Sequence, residues 1–389
     1  MPMKANLHQS LHIYQSPIKF ETRLFKMVNF VVKNNIVSHV TVFGMLFKKQ
    51  QAIEKIGKKM LCIRVPAYDL NNIIKLSKGL NKIAQVITWS LNVFFIAIKC
   101  RPKIINCHSL PALPVCFFLS LFHHCKLIYE PHELETETES FSGATRQIFK
   151  IIEKVFAQRA ACIISVSSKI ARKYSESFPQ KRIFVIHNAE PISYDCQKIN
   201  KLKSKYKIKN SQLLFLYQGL FAKERSVHVL LEAFSSKEIN HHILFVGFGP
   251  MKKQIQAVCK KNSRIHYLES IQPEKLAKIT CQADIGFSLL PQDCLNNKYA
   301  LPNKFFSYIN NSIPMIVAKN TEMEKIVKKN KCGWSVSPSS PEVLKILKKI
   351  NKKSLREKKV NVFSLKQKYN WEKEEKKLHR VYNLVCQQY

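Results

Sequence analysis

Two things are scarce in this chain: glycine, with nine residues, and acid, with 26 Asp+Glu against 64 Lys+Arg in 389 residues. The shortage of acid leaves a net charge of +38, which admits three partner classes: nucleic acid, an anionic membrane surface, or acidic substrates. Only 11 of the 64 cations are arginine, so 53 are lysine, spread along the whole chain at positions that read as solvated faces. Part of that bias reads as genomic. The cations lack the aromatic interleaving of a single-strand binder, and no nucleic-acid module is recognisable, so no nucleic-acid partner is expected. A lysine-rich face resting on anionic lipid stays open. The twelve cysteines include no C-x-x-C pair and no zinc-finger spacing. Several, such as Cys107 and Cys162, lie in apolar runs where cysteine acts as a small hydrophobe. Reduced thiols in the cytoplasm are therefore expected, and the Asn310-Asn311-Ser312 sequon counts as chance. No uninterrupted apolar segment opens the chain, so no secretory signal is expected. The most apolar stretches, Val86–Ile98 and Leu110–Phe122, are shorter than the ~20 residues a spanning helix needs. They read as core or interfacial helices, and no span is expected.

What is present is a rhythm. Apolar residues make up 46% of the chain, enough for sizeable cores and too much for wholesale disorder. Short apolar runs such as Leu11–Gln15, Lys126–Glu130, Leu213–Gln218 and Met315–Ala318 alternate with helix-period segments from end to end. Continuous apolarity, without alternation, predicts strands buried on both faces and hence parallel sheets covered by helices. The rhythm predicts α/β domains, doubly wound and Rossmann-like. It pauses at the polar stretch 190–211, which puts the domains at 1–190 and 191–370. A final helix, 371–389, has Trp371, Leu378, Val381, Tyr382 and Val385 as its apolar stripe. In such sheets ligands bind beyond the carboxyl ends of the strands.

Three segments at those ends carry chemistry. In Tyr217-Gln218-Gly219-Leu220-Phe221, a strand ends in glycine, and a helix is predicted over 225–234. Gly219 would let a phosphate approach the backbone, and the helix start presents free N–H groups to an anion. A cation such as Arg225 in a first helical turn is disfavoured by ~0.3–1 kcal/mol, unless an anion sits beside it. Leu301-Pro302-Asn303-Lys304 repeats the oddity at a second helix start, with Pro302 at or near the first position. Two such cations could clamp a diphosphate. Third, Tyr129-Glu130-Pro131-His132-Glu133 follows a strand, where His132 and Glu133 can hydrogen-bond sugar hydroxyls or assist proton transfer. Cys107-His108-Ser109, His187-Asn188 and the Gly247-Phe248-Gly249-Pro250 turn are weaker candidates.

Together these segments resemble the retaining glycosyltransferases of family GT4, over most of the chain. The resemblance rests on Glu130-Pro131-His132-Glu133, Gln218-Gly219 through Arg225-Ser226, Val246 through Pro250 and Ala283-Asp284-Ile285-Gly286. Above all it rests on Asn297 through Phe306, with Ile313-Pro314-Met315-Ile316-Val317 after it, which looks like the donor segment of enzymes that build bacterial surface polysaccharides. It implies a GT-B fold, two Rossmann-like domains facing a cleft, the first binding the acceptor and the second a nucleotide-diphosphate sugar. It implies that Gly219, Arg225 and Lys304 hold the donor diphosphate, with no metal or other cofactor. His132 and Glu133 become the catalytic pair, and Gly249, Pro302, Asn303 and Ser307 line the nucleotide-sugar pocket. The acceptor would be a glycan or a lipid-linked glycan, and the protein would work in the cytoplasm or at the inner face of its membrane.

The chain departs from the family in three places. The two glutamates eight residues apart expected around the donor segment are Tyr299 and Ser307. A serine offers one hydroxyl where a carboxylate would take two ribose hydroxyls. Gln15-Ser16-Pro17-Ile18-Lys19 replaces a glycine-rich loop, and Asn310-Asn311-Ser312 replaces a glycine-bearing turn. The alternative these departures raise is a degenerate GT-B protein that binds a glycan or partner without turnover.

Overall fold

The apolar runs become parallel strands, as their continuous burial requires. The computed structural model describes residues 9–19, 21–47, 49–69, 77–139, 141–192, 201–320 and 322–387. It divides into two units, Met1–Ile186 with Lys377–Tyr389, and His187–Lys376. His187, Glu190 and Ile192 go with the second unit because they bond the start of the last helix, Trp371–Gln387. The His187 N–H donates to Glu374, Trp371 N–H to the Glu190 carbonyl, and Ile192 N–H to Glu372.

The first unit holds β1 (Gln9–Ile13), β2 (His39–Met45), β3 (Ile53–Ile56), β4 (Met60–Val65), β5 (Pro102–Cys107), β6 (Lys126–Tyr129), β7 (Ala160–Ser165) and β8 (Arg182–Val185). Their order across the sheet is β3-β4-β2-β1-β5-β6-β7-β8. All neighbours run parallel except the β3–β4 hairpin. The strand β3 escapes sequence reading because it is four residues long, half charged, and mostly open to solvent. The second unit holds β9 (Leu214–Leu220), β10 (His242–Phe248), β11 (Ile265–Glu269), β12 (Ile285–Ser288), β13 (Met315–Ala318) and β14 (Gly333–Val336). They run parallel in the order β11-β10-β9-β12-β13-β14. Each sheet therefore reverses direction of growth beside its first strand, at β1/β5 and at β9/β12. In doubly wound sheets the crevice at that reversal, beyond the carboxyl ends of the strands, is where ligands sit.

Both faces of the second sheet are sealed, and alternate residues of β9 divide between two cores. Phe215 and Tyr217 pack with Phe234, Phe245 and Phe287 on one side, while Leu214 and Leu216 pack with Phe305, Tyr308 and Val317 on the other. In the first unit the helix Lys78–Ala97 starts eight residues before the apolar run Val86–Ile98, where Ser77 accepts from the Leu80 N–H. Its part Gly79–Ala97 is thereby long and apolar enough to cross a membrane, which corrects the expectation from the run alone. One side of this helix is docked in the unit: Trp89, Val93 and Ala97 are fully buried, and the Trp89 indole donates to the Gly44 carbonyl at 3.0 Å. All five apolar residues of the C-terminal stripe are buried.

Candidate functional site

In the second unit the reversal point is built from the end of β9 and the start of the helix Asn303–Asn310. Gly219 closes β9 with φ 121°, a conformation that L side chains rarely adopt. A Cβ on Gly219 would point at Lys304, 3.7 Å from its Cε and Nζ, so nothing but a lysine tip lies over this backbone. Gly247 and Gly249 serve the same turn from β10. A Cβ on Gly247 would stand 1.9 Å from the Gly219 carbonyl oxygen, and one on Gly249 2.5 Å from that of Phe221. Gly249 thus supports the loop after Gly219 by close backbone packing.

Lys304 occupies the second position of its helix, behind Pro302 as N-cap. Its Nζ lies 3.8 Å from the centroid of the Tyr217 ring, whose hydroxyl is tied to the Leu220 carbonyl at 2.7 Å. Burial, and after it the charge of Arg225, push the Lys304 ammonium down to about 7. Arg225 itself stands outside the predicted helix. A 3-10 turn, Lys223–Arg225, comes first, Ser226 then takes φ 55°, and the helix runs Val227–Ser235. The left-handed Ser226 is the break, so Arg225 owes its place to the turn and is not in a first helical turn. Neither Arg225 nor Lys304 forms an ion pair among the described residues. Two neighbouring cations without a counter-ion form an anion site by charge alone. Asn303 is exposed, and its side-chain oxygen accepts from the Asn188 amide. Ser307, one turn after Lys304, is buried at 5% exposure, and its carbonyl accepts from Asn311.

In the first unit the reversal point carries histidines. His12 lies on β1, Asn106 near the end of β5, His108 just after it, and His132 in the loop after β6. Asn106 Nδ2 stands 3.2 Å from His12 Nε2, His12 Nδ1 2.9 Å from His108 Nε2, and His108 Nδ1 3.3 Å from His132 Nε2. The Tyr382 hydroxyl donates to Asn106 Oδ1 at 2.9 Å, and the ring of Tyr14 lies 4.9 Å from that of His132. Beneath them Arg23 Nε donates to Glu130 Oε1 at 2.7 Å, while Glu130 Oε2 is 3.5 Å from His108 Nδ1. Burial drives His12 and His132 down to about 3 and His108 well below the usual range, so all three are neutral near pH 7. Burial raises the Glu130 carboxyl, and Arg23 opposes that. The side chain of Glu133 is exposed and stands outside this cluster. Ligand atoms of His108, Glu130 and His132 lie within 4.8 Å of one another, a metal-like spacing, but the Arg23 guanidinium already neutralises the carboxylate.

Sequence reasoning named Gly219, Arg225, Lys304 and His132 as site residues and gave no role to His12, Tyr14, Arg23 or the Tyr217 ring, which lie beside them. A histidine in the middle of an apolar strand, as in Leu11-His12-Ile13, was the available signal. The loop Ser16-Pro17-Ile18 also has an unexpected solution. Ile18 takes φ 47° where glycine would be at ease, and Arg64 holds the Pro17 and Ile18 carbonyls at 3.1 and 3.2 Å.

Residues 64–190 match the profile of Glycosyltransferase Family 4, and residues 231–372 match that of the Glucosyltransferase 3-like C-terminal domain. No curated protein matches the chain in sequence. Among solved structures, the sucrose-phosphate synthase of Thermosynechococcus elongatus superposes with a TM-score of 0.76 at 13% identity, over 98% of this chain and 100% of that one. HepE of Anabaena, solved in complex with UDP-glucose, gives 0.72 at 14% identity over 97% and 99%. WaaG, a glycosyltransferase involved in lipopolysaccharide biosynthesis, gives 0.68 at 12% over 96% and 99%. At such identities these likenesses speak for the fold, GT-B.

Proposed function

We propose that the chain, which has the GT-B fold and matches the family-4 profile over residues 64–190, moves a sugar from a nucleotide diphosphate to a glycan or lipid-linked acceptor, with retention, in surface-polysaccharide synthesis. The observation that carries this reading is the pair of unneutralised cations, Arg225 and Lys304, beside the bare backbone of Gly219. In the transfer, the bond from the anomeric carbon to the β-phosphate oxygen breaks, and its electron pair stays on the phosphate. The acceptor hydroxyl forms the new bond and gives up its proton. Charge therefore grows on the diphosphate, and fixed cations that meet it stabilise the transition state more than the ground state. Lys304 and Arg225 supply that charge themselves, so no resident metal or other cofactor is assigned. His132 is assigned to a sugar hydroxyl, and Asn303 and Ser307 to the nucleotide side.

A lipid-linked acceptor fits the outer surface of the first unit. Ile83, Ile87, Leu91 and Phe95 recur every fourth residue on the solvent side of the helix Lys78–Ala97, each more than 40% exposed. The helices Leu113–Phe122 and Gly143–Ala157 pack in turn beside it and add exposed Phe118, Phe122 and Ile151. The single carboxylate on the three helices, Glu153, is buried and bonded to Tyr129 and Tyr174. Lys82 and Lys154 remain as the flanking charge, while Arg146 and Lys150 pair with Glu137. An apolar stripe with cations and no exposed acid suits an anionic bilayer, where each lysine contributes ~1 kcal/mol.

The test is a thermal-shift screen of nucleotide sugars on the full chain. A donor at about 100 times its Kd should stabilise the protein by ~2.7 kcal/mol, and Lys304→Ala should abolish the shift. Equal binding by wild type and variant would remove the donor site from Lys304.

A further inference from the structure

The three histidines of the first unit are more than a polar core, because their partners fix a direction. Asn106 Nδ2 is a donor, so His12 Nε2, 3.2 Å away, must accept, and the proton of neutral His12 is on Nδ1. That proton goes to His108 Nε2 at 2.9 Å, which places the proton of His108 on Nδ1. Two acceptors face that atom: His132 Nε2 at 3.3 Å and the carboxylate oxygen Glu130 Oε2 at 3.5 Å. The hydrogen bond of His108 Nδ1 goes to His132 Nε2, while Glu130 Oε2 accepts no hydrogen bond and favours the same direction through its negative charge. Arg23 keeps Glu130 in that role by binding its other oxygen. In this orientation of the Asn106 amide the Tyr382 hydroxyl donates to its Oδ1. His132 is left with Nε2 accepting, its proton on Nδ1, and no partner for that proton among the described residues.

We infer that Asn106, His12 and His108 are positioning residues, a polarised hydrogen-bond chain that presents His132 as a fixed Nδ1–H donor, with Tyr382 of the C-terminal helix as its anchor. This rests on the reading of His132 as the group that meets a sugar hydroxyl. A histidine free to exchange its proton between two nitrogens would be a donor only part of the time. Here neither ring flip nor tautomer change at His132 is possible without breaking bonds at His108. The chain also explains why a C-terminal helix residue is bonded near the end of β5. The fixed donor suits a neutral hydroxyl better than an anion, which would favour an imidazolium.

The experiment is long-range proton–nitrogen NMR on the full chain with 15N-labelled histidine at neutral pH. In wild type, His132 should show a protonated Nδ1 and a bare Nε2; the reverse pattern overturns the inference. Asn106→Asp replaces the donor by an acceptor and should move the proton of His12 to Nε2, so that His132 loses its single tautomer. Tyr382→Phe, a milder change that keeps the ring, should give a mixture of tautomers at His132. An unchanged His132 in variants that keep wild-type circular dichroism and Tm overturns the chain as a positioning device. Zinc chloride that titrates His108 and His132 at one equivalent overturns it too, because a metal there needs the opposite proton on His108. In turnover, Asn106→Asp should lower kcat about tenfold or more with the donor KM within about twofold. Nucleotide-sugar binding by the same samples is read separately. Its absence with His132 locked strikes the transferase assignment and not the hydrogen-bond chain.

Discussion

If Lys304 meets the donor diphosphate, donor binding must take up a proton, and the amount follows from the structure. Burial and Arg225 hold the free ammonium near about 7, against an ordinary value of 10.5. A diphosphate beside it favours the charged form and returns the group towards its ordinary range. At pH 8 the free protein carries Lys304 about one-tenth protonated, so binding should take up ~0.9 proton, falling to ~0.1 at pH 6. Donor affinity should be nearly flat below pH 7 and fall about tenfold per unit above it. Both phosphates of a nucleotide sugar are diesters and stay ionised throughout, and the neutral histidines of the first unit titrate lower. The assay is isothermal titration calorimetry at pH 6, 7 and 8 in buffers of different ionisation enthalpy. Lys304→Arg is the control, since a guanidinium stays charged and should remove the proton uptake while keeping the anion. The same shift sets a stability slope. A lysine whose folded value lies below its unfolded one destabilises the protein at low pH, and stability returns as pH rises from about 7 to 10.5. The ceiling is about 5 kcal/mol below pH 7, and Lys304→Met should recover part of it while losing the donor. Proton uptake near zero at pH 8, with affinity independent of pH, would refute the placement of Lys304 against phosphate.

Gly247→Ala should destabilise the second unit by roughly 1–3 kcal/mol in chemical denaturation and weaken donor binding, because the new methyl would overlap the Gly219 carbonyl. A variant that binds donor as wild type would free the Gly219 backbone from any part in the site. On the first unit, Ile87→Glu with Phe95→Glu should abolish flotation with phosphatidylglycerol vesicles and leave Tm within a few degrees, since both side chains are more than half exposed. Flotation that ignores either the variant or the anionic lipid would remove the bilayer as occupant of that face.

Much of the fold was legible because burial on both faces leaves a run of apolar residues that no other element imitates at that length. The strand β3 was invisible for the opposite reason: Ile53–Ile56 buries too little to force apolar spacing. The donor corner was half legible. Gly219 and Lys304 advertise themselves by conformation and by charge at a helix start. That Lys304 stacks on Tyr217 follows from a register between β9 and a helix more than eighty residues on, and local pattern holds no such information. Ile18 shows the same limit. Ile18 takes a left-handed backbone without being glycine, and a side chain, Arg64, holds two carbonyls across the loop.

The two reversal points differ in how they balance charge, and that difference says what each can receive. In the first unit Arg23 and Glu130 cancel, three histidines are neutral, and the ring nitrogens are bonded in series up to His132, with Arg23 Nη2 and Glu130 Oε2 left without a hydrogen bond. A ligand with net charge gains little there, whereas a hydroxyl can take the Nδ1–H donor of His132. In the second unit Lys304 and Arg225 repel each other without an anion, and folding supports that repulsion through the cores on either side of β9. An anion is the ligand that relieves it, and two adjacent cations relieve most when the anion is itself divalent. A transferase needs this division, because its leaving group is a charged diphosphate while the sugar is neutral. On the proposed reading, the departures at Tyr299 and Ser307 take away ribose contacts and leave the cations assigned to phosphate in place. They should loosen the choice of nucleotide before they weaken the chemistry.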